Sequence, residues 1–120
     1  MTTTVLVVDD DPDIVDLLEV ALEGQGYAVL ASVGAESVQV AHDIQPDVIL
    51  LDINMPGMSG VEVSQRLRAD PVTADIPIIV MSAQDRLRAT GPLMRVDDRL
   101  PKPFGLADLY RVVERWTGAA

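Results

Sequence analysis

The tightest constraint on the fold is a set of short apolar runs that recur along the chain with a helix-length segment after each. Val5-Leu6-Val7-Val8 is β-branched and apolar at every position, and it reads as a strand buried on both faces. Ala28-Val29-Leu30-Ala31, Val48-Ile49-Leu50-Leu51, Ile76-Pro77-Ile78-Ile79-Val80-Met81 and Asp98-Arg99-Leu100-Pro101 supply four more strands.

The intervening segments carry helical spacing. Asp11 offers an N-cap oxygen with Pro12 at the first helical position, and Ile14, Leu17, Leu18, Ala21 and Leu22 follow at helical intervals until Gly24 and Gly26 stop the run. Residues 35–44 form a second helix with Val38, Ala41 and Ile44 inward. The loop Asn54-Met55-Pro56-Gly57-Met58-Ser59-Gly60 leads into a helix near 61–69. Between 83 and 95, Gly91-Pro92 interrupts the pattern, so the fourth helix is expected to be short or broken. Leu106, Leu109, Tyr110, Val113 and Trp116 make the apolar stripe of the last helix.

Strands alternating with helices, joined by connections too long for hairpins, require a parallel sheet with helices on both faces. The expected fold is a doubly wound α/β domain with a five-stranded parallel sheet flanked by five helices. With no linker, repeat or low-complexity tract, the 120 residues make one domain, residues 1–120. In such sheets the site lies beyond the carboxyl ends of the strands, where the strand order reverses.

Charge and composition narrow the function. There is no cysteine, which excludes disulfides, thiol nucleophiles and thiolate metal sites and suits a reducing compartment. No basic leader and no apolar run of membrane-spanning length is present, so the expected location is cytoplasmic, with no membrane partner. The net charge of −10 argues against direct binding to nucleic acid, which depends on clustered Lys and Arg. Residues 1–65 hold twelve acids and no Lys or Arg, whereas residues 66–120 hold seven acids and all nine bases.

The candidate chemistry sits at the strand ends. Asp9 and Asp10 close the first strand and Asp52 closes the third, so a sheet that pairs those strands gathers three carboxylates. At separations of about 5 Å and an effective dielectric of 20, each pair repels by roughly 3 kcal/mol, which a domain stable by about 5–15 kcal/mol cannot leave unrelieved. Lys102, the single lysine, follows the fifth strand between Pro101 and Pro103 and supplies one positive charge. With only oxygen donors available, the remainder points to a hard cation, Mg²⁺ before Ca²⁺. An open Mg²⁺ beside a carboxylate, an ammonium and the Ser82 hydroxyl suits phosphoryl transfer, with Asp52 able to act as nucleophile and Ser82 as a hydrogen-bond donor to the phosphoryl group.

Val8-Asp9-Asp10, Leu51-Asp52-Ile53-Asn54-Met55-Pro56-Gly57-Met58-Ser59-Gly60, Val80-Met81-Ser82-Ala83 and Leu100-Pro101-Lys102-Pro103-Phe104 occur in this order over nearly the whole chain. In these motifs the sequence resembles the receiver domain of two-component response regulators, a flavodoxin-like fold. The resemblance implies Asp52 as phospho-acceptor, Asp9 and Asp10 in an acid pocket, and the Asn54 backbone carbonyl as a further Mg²⁺ ligand beside Asp9, Asp10 and Asp52. It also implies that Ser82 and Lys102 read the phosphoryl group and that the Lys102-Pro103 bond is cis. The implied partners are a sensor histidine kinase or phosphotransfer protein and an output protein or effector domain. The implied activity is acceptance and slow loss of a phosphoryl group, not enzymatic turnover. Arg99 stands where the family usually has Tyr or Phe, three residues before the lysine.

Two other readings are compatible with parts of the sequence. Asp9-Asp10-Asp11 mimics the D-x-D of Mg²⁺-dependent aspartate-nucleophile phosphatases, although Asp13 falls where Thr or Val is wanted and the chain leaves no room for a cap domain. A receiver-like module that is never phosphorylated is the third. Asp11 and Asp13 read as cap and turn residues, His42 as an exposed helix residue without a role, and Met55 and Met58 as loop packing. Arg99 reads either as a surface charge paired with Asp97 or Asp98 or as a gate.

Overall fold

The computed structural model describes residues 2–90 and 94–118. Its elements run β1 (Thr4–Val8), α1 (Pro12–Glu23), β2 (Ala28–Ser32), α2 (Glu36–Ile44), β3 (Val48–Asp52), α3 (Gly60–Ala69), β4 (Ile78–Ala83), α4 (Gln84–Thr90), β5 (Asp98–Lys102) and α5 (Leu106–Thr117). All strand pairs are parallel, in the order β2-β1-β3-β4-β5. The chain leaves β1 toward β2 and returns to the other side of β1 for β3, so the order reverses between β1 and β3. That reversal opens a crevice at their carboxyl ends.

The alternation of side chains along each strand builds two cores. Val5, Val7, Leu50, Ile79 and Met81 point to one face and meet Leu18 and Leu22 of α1 and Leu109 and Val113 of α5. Leu6, Val8, Ile49, Leu51 and Val80 point to the other and meet Ala41 of α2, Val63 and Leu67 of α3 and Leu87 of α4. Every residue from Val5 to Val8 and from Val48 to Leu51 is wholly buried, which is why these runs show no polar alternation. The edge strand β2 is only partly covered, and its Leu30 is exposed.

Several local expectations hold. The Asp11 carboxylate accepts the Asp13 N–H at 3.0 Å as the N-cap of α1, with Pro12 in the first turn. Ser59 caps α3 by accepting the Glu62 N–H. Met55 is buried and Met58 packs against the same cluster. Helix α4 is short, at seven residues; Gly91-Pro92, expected to interrupt it, lies outside the described residues.

Other expectations are corrected. The fourth strand begins at Ile78 rather than Ile76: Pro77 has no N–H to offer a neighbour, and the Ile76 carbonyl is taken by the Arg68 guanidinium at 2.8 Å. Leu17, Ile44 and Leu106 are exposed rather than inward. Ile44 and Leu106 sit at helix ends, and Leu17 lies off the line that Leu18, Ala21 and Leu22 present to the sheet. Tyr110 and Trp116 pack against the core while only partly buried.

One side chain ties the end of α3 to the starts of β4 and β5. Arg68, about 10% exposed, donates to the carbonyls of Ala74, Ile76 and Arg95 at 2.8 Å each and to Asp97 Oδ2 at 2.6 Å. Asp97 Oδ2 also accepts the Ile78 N–H at 2.8 Å.

Candidate phosphoryl and metal site

The strand register assembles the site. Val8 lies opposite Leu51, so Asp9 and Asp52, each one residue further, emerge beside each other at the crevice. Asp52 lies opposite Met81, which brings Ser82 to the same rim. Ser82 pairs with Pro101 and Ala83 with Lys102, which delivers the lysine from β5. Asp52, Ser82 and Lys102, expected at or just beyond the ends of their strands, all lie inside them.

Asp9 is buried, and its Oδ1 accepts the Asp11 N–H at 2.9 Å, which orients the carboxylate. The Lys102 ammonium donates to Asp9 Oδ2 at 3.2 Å and stands 3.6 Å from Asp52 Oδ1. Asp52 and Ser82 are buried, while Asp10 and Asn54 are exposed. All six expected site residues line one cleft of about 560 Å³, together with Asp11, Pro12, Ala83 and Arg86. The Lys102-Pro103 bond is cis.

Behind Asp52 the chain turns sharply into α3. Gly57 has φ +82°, and a Cβ at Gly60 would lie 2.6 Å from the Ile53 Cα, so only glycine lets the helix start this close to the backbone of Asp52 and Ile53. The Gly60 N–H closes the loop on the Ile53 carbonyl at 2.8 Å.

The electrostatics are unbalanced. Burial and then the Asp9 charge push the Asp52 carboxyl above its ordinary value, and Lys102 and the Asn54 backbone N–H only partly oppose them. Carboxylate oxygens of Asp9, Asp10 and Asp52 lie within 4.8 Å of one another. A set made only of oxygens, carrying more negative charge than Lys102 neutralises, fits a hard divalent cation such as Mg²⁺.

Residues 5–114 match the response regulator receiver domain family. The chain belongs to that family. The receiver domain is 41% identical to the phosphate regulon transcriptional regulatory protein PhoB of Pseudomonas aeruginosa, over 96% of this chain and 53% of that protein. It is 45% identical to the transcriptional regulatory protein PrrA of Mycobacterium tuberculosis, over 92% of this chain and 48% of that one. It thus spans about half the length of the curated relatives it matches. Among solved structures, the receiver domain of the sensor histidine kinase PA1611 from Pseudomonas aeruginosa is 29% identical, with a TM-score of 0.92, covering 98% of this chain and 99% of that one. That structure holds a magnesium ion in its active site cleft. Among the described residues of this receiver domain, no helix is long and apolar enough to cross a membrane.

Two residues stand differently from their sequence reading. Arg99 is exposed and makes no ion pair among the described residues, because Asp97 is held by Arg68 and Asp98 accepts Arg115 at 2.9 Å and the Trp116 indole N–H at 2.8 Å. His42 is partly buried, with Nδ1 2.7 Å from Asp70 Oδ2. Arg86 is the cleft residue that sequence reasoning missed. It lies in the first turn of α4, and only the packing of that helix over the end of β4 reveals which way it faces.

Proposed function

We propose that Asp52 accepts a phosphoryl group from a sensor histidine kinase or phosphotransfer protein and that this charge change switches the domain's affinity for an output protein or effector domain. The observation that carries the reading is the buried Asp52 carboxylate, 3.6 Å from the Lys102 ammonium, with Asp9 and Ser82 on the same open cleft. Asp9, Asp10, Asp52 and the Asn54 backbone carbonyl would hold Mg²⁺. When bound, that ion supplies positive charge to the phosphoryl oxygens.

The chain's own groups do the rest. An Asp52 carboxylate oxygen attacks phosphorus, the bond from phosphorus to the donor nitrogen breaks, and its electron pair leaves with the imidazole, which takes a proton from solvent. The product is an acyl phosphate on Asp52. The Ser82 hydroxyl donates to one phosphoryl oxygen, and Lys102 exchanges part of its contact with Asp52 for another. Hydrolysis returns the Asp52 carboxylate and releases inorganic phosphate, so the domain is a slow self-resetting switch and not a turnover enzyme. The new group adds about −1.5 to −2 charges at neutral pH by analogy with other phosphorylated side chains, and an inward shift of Ser82 and Lys102 toward it favours the signalling arrangement.

The reading places the domain, as one unit over residues 1–120, in the cytoplasm. Incubation with acetyl phosphate and Mg²⁺ should add the mass of one phosphoryl group to the wild-type protein and none to Asp52→Asn. An unchanged wild-type mass would overturn the proposal and leave a receiver-like module that works without phosphorylation.

A further inference from the structure

We propose that the outer edge of β2 is a docking site for an extended, basic segment of a partner protein, which adds to the sheet as a further strand. The sheet has two edges, and the sequence treats them differently. β5 carries Asp98, Arg99, Pro101 and Lys102, the charges and proline that discourage a stray strand from pairing. β2 is Ala28-Val29-Leu30-Ala31-Ser32, with no charge and no proline, and its Leu30 is 40% exposed. The backbone groups on offer can be named. The Ala28 N–H donates to the Thr3 carbonyl at 2.9 Å and the Ser32 carbonyl accepts the Asp9 N–H at 3.3 Å, so residues 28, 30 and 32 turn their polar groups toward β1. Val29 and Ala31 therefore turn their N–H and C=O groups away from β1, and among the described residues no strand lies beyond them.

Charge decides the occupant. The helices that pack against β2, α1 and α2, carry six acids and no Lys or Arg. Their remaining ionisable group, His42, is held by Asp70 at 2.7 Å. A second copy of this chain would set the same acidic surface against itself, since residues 1–65 hold twelve acids and no Lys or Arg. A segment rich in Lys or Arg is drawn in instead. An added strand alternates its side chains across the sheet. One row falls on the face of Leu30, where apolar side chains fit, and the other on the face of Val29, which α1 covers and flanks with acids. Backbone pairing would supply the affinity and these two rows the preference for alternating apolar and basic residues.

The probe is a synthetic peptide of alternating Lys and Val, and its control is a Lys-Pro peptide of equal length and charge, which lacks half of the N–H groups and does not fit a ladder. Fluorescence anisotropy should show the wild-type chain binding the Lys-Val peptide about tenfold more tightly than the control, with slower hydrogen exchange at the Val29 and Ala31 amides. Ala31→Pro removes one outward N–H without changing the net charge and should abolish most of that preference. Leu30→Lys leaves the backbone alone and sets a like charge beside the incoming lysines, so it should weaken the Lys-Val peptide more than the control. Equal affinity of wild type for both peptides would show attraction to the acidic surface alone and overturn the proposal. A Lys-Val preference that both variants retain would overturn it as well, as would amide protection confined to another element. Self-association of the wild-type chain without peptide, protecting these same two amides, would assign the edge to a second copy and overturn it too.

Discussion

His42 is the single imidazole of the chain, so its titration can be followed without assignment. The hydrogen bond to Asp70 and then the Asp70 charge raise it above its usual 6.5, against a smaller effect of burial and with slight help from Asp43. The same contact, with the Val72 N–H, holds Asp70 below 3.8. A base whose value is raised on folding stabilises the fold fully below about pH 6.5 and loses that contribution as pH rises through the raised value. The lowered carboxyl contributes above its unfolded value and loses its share as pH falls through the depressed one. The pair is therefore strongest between about pH 4 and 6.5. Asp70→Asn should bring the His42 titration back toward 6.5 and lower the melting temperature at pH 5.5 but not at pH 9. A titration midpoint that does not move in the variant would refute the assignment. The partner of His42 was not legible in the sequence, because Asp70 lies 28 residues away and meets it only when α2 and α3 pack. Asp9, Asp52 and Ser82 were legible for the opposite reason: each terminates an apolar run, and a chain that must bury such a run displays its ending; Lys102 was legible as the single lysine, following the expected fifth strand.

At the scale of elements, Arg68 matters more than its place on α3 suggests. Its four contacts fasten the end of α3 to the segments that open β4 and β5, the strands that carry Ser82 and Lys102 to the cleft. Arg68→Ala would leave the part-buried Ala74 and Ile76 carbonyls without this donor and free the more exposed Arg95 carbonyl and Asp97 carboxylate. The expected loss is about 2–4 kcal/mol in urea unfolding. Arg68→Lys should recover less than half of it, since an ammonium cannot reach the four acceptors that the guanidinium fork spans. Full recovery by lysine would mean that charge alone does the work. This tie also explains a boundary that the apolar pattern misplaced: Ile76 is apolar and partly packed against the core, yet its carbonyl belongs to Arg68 and Pro77 offers no donor, so the strand starts at Ile78, with the Pro77 carbonyl accepting the Ile49 N–H just before it. Hydrophobic pattern marks where a segment is buried; hydrogen-bond supply decides where a strand starts.

The whole molecule is divided by charge along the line of the cleft. Residues 1–65, with twelve acids and no Lys or Arg, build β2, β1 and β3, whereas β4 and β5 belong to the half that holds all nine bases. The cleft lies on this seam. Asp9, Asp10 and Asp52 come from the acidic half, and Ser82, Arg86 and Lys102 come from the other. The doubly wound order was legible from alternating strands and helices, but the meeting of the two halves at one cleft depends on the register of β1 with β3 and of β4 with β5. It follows that the folded state carries unrelieved repulsion in the absence of a divalent ion, most of it at Asp52, whose carboxyl is raised by burial and by Asp9. Mg²⁺ should therefore raise the melting temperature as RT ln(1 + [Mg²⁺]/Kd), about 1.4 kcal/mol at ten times Kd or roughly 4–8 °C. Asp52→Asn should melt higher than wild type in chelator, by on the order of 1 kcal/mol, because it removes the costliest charge of the cluster. The same variant should respond less to Mg²⁺, having lost one of the three clustered carboxylates. A wild-type melting temperature indifferent to Mg²⁺, or an Asp52→Asn variant that melts lower in chelator, would show that the acid cluster is balanced without a metal.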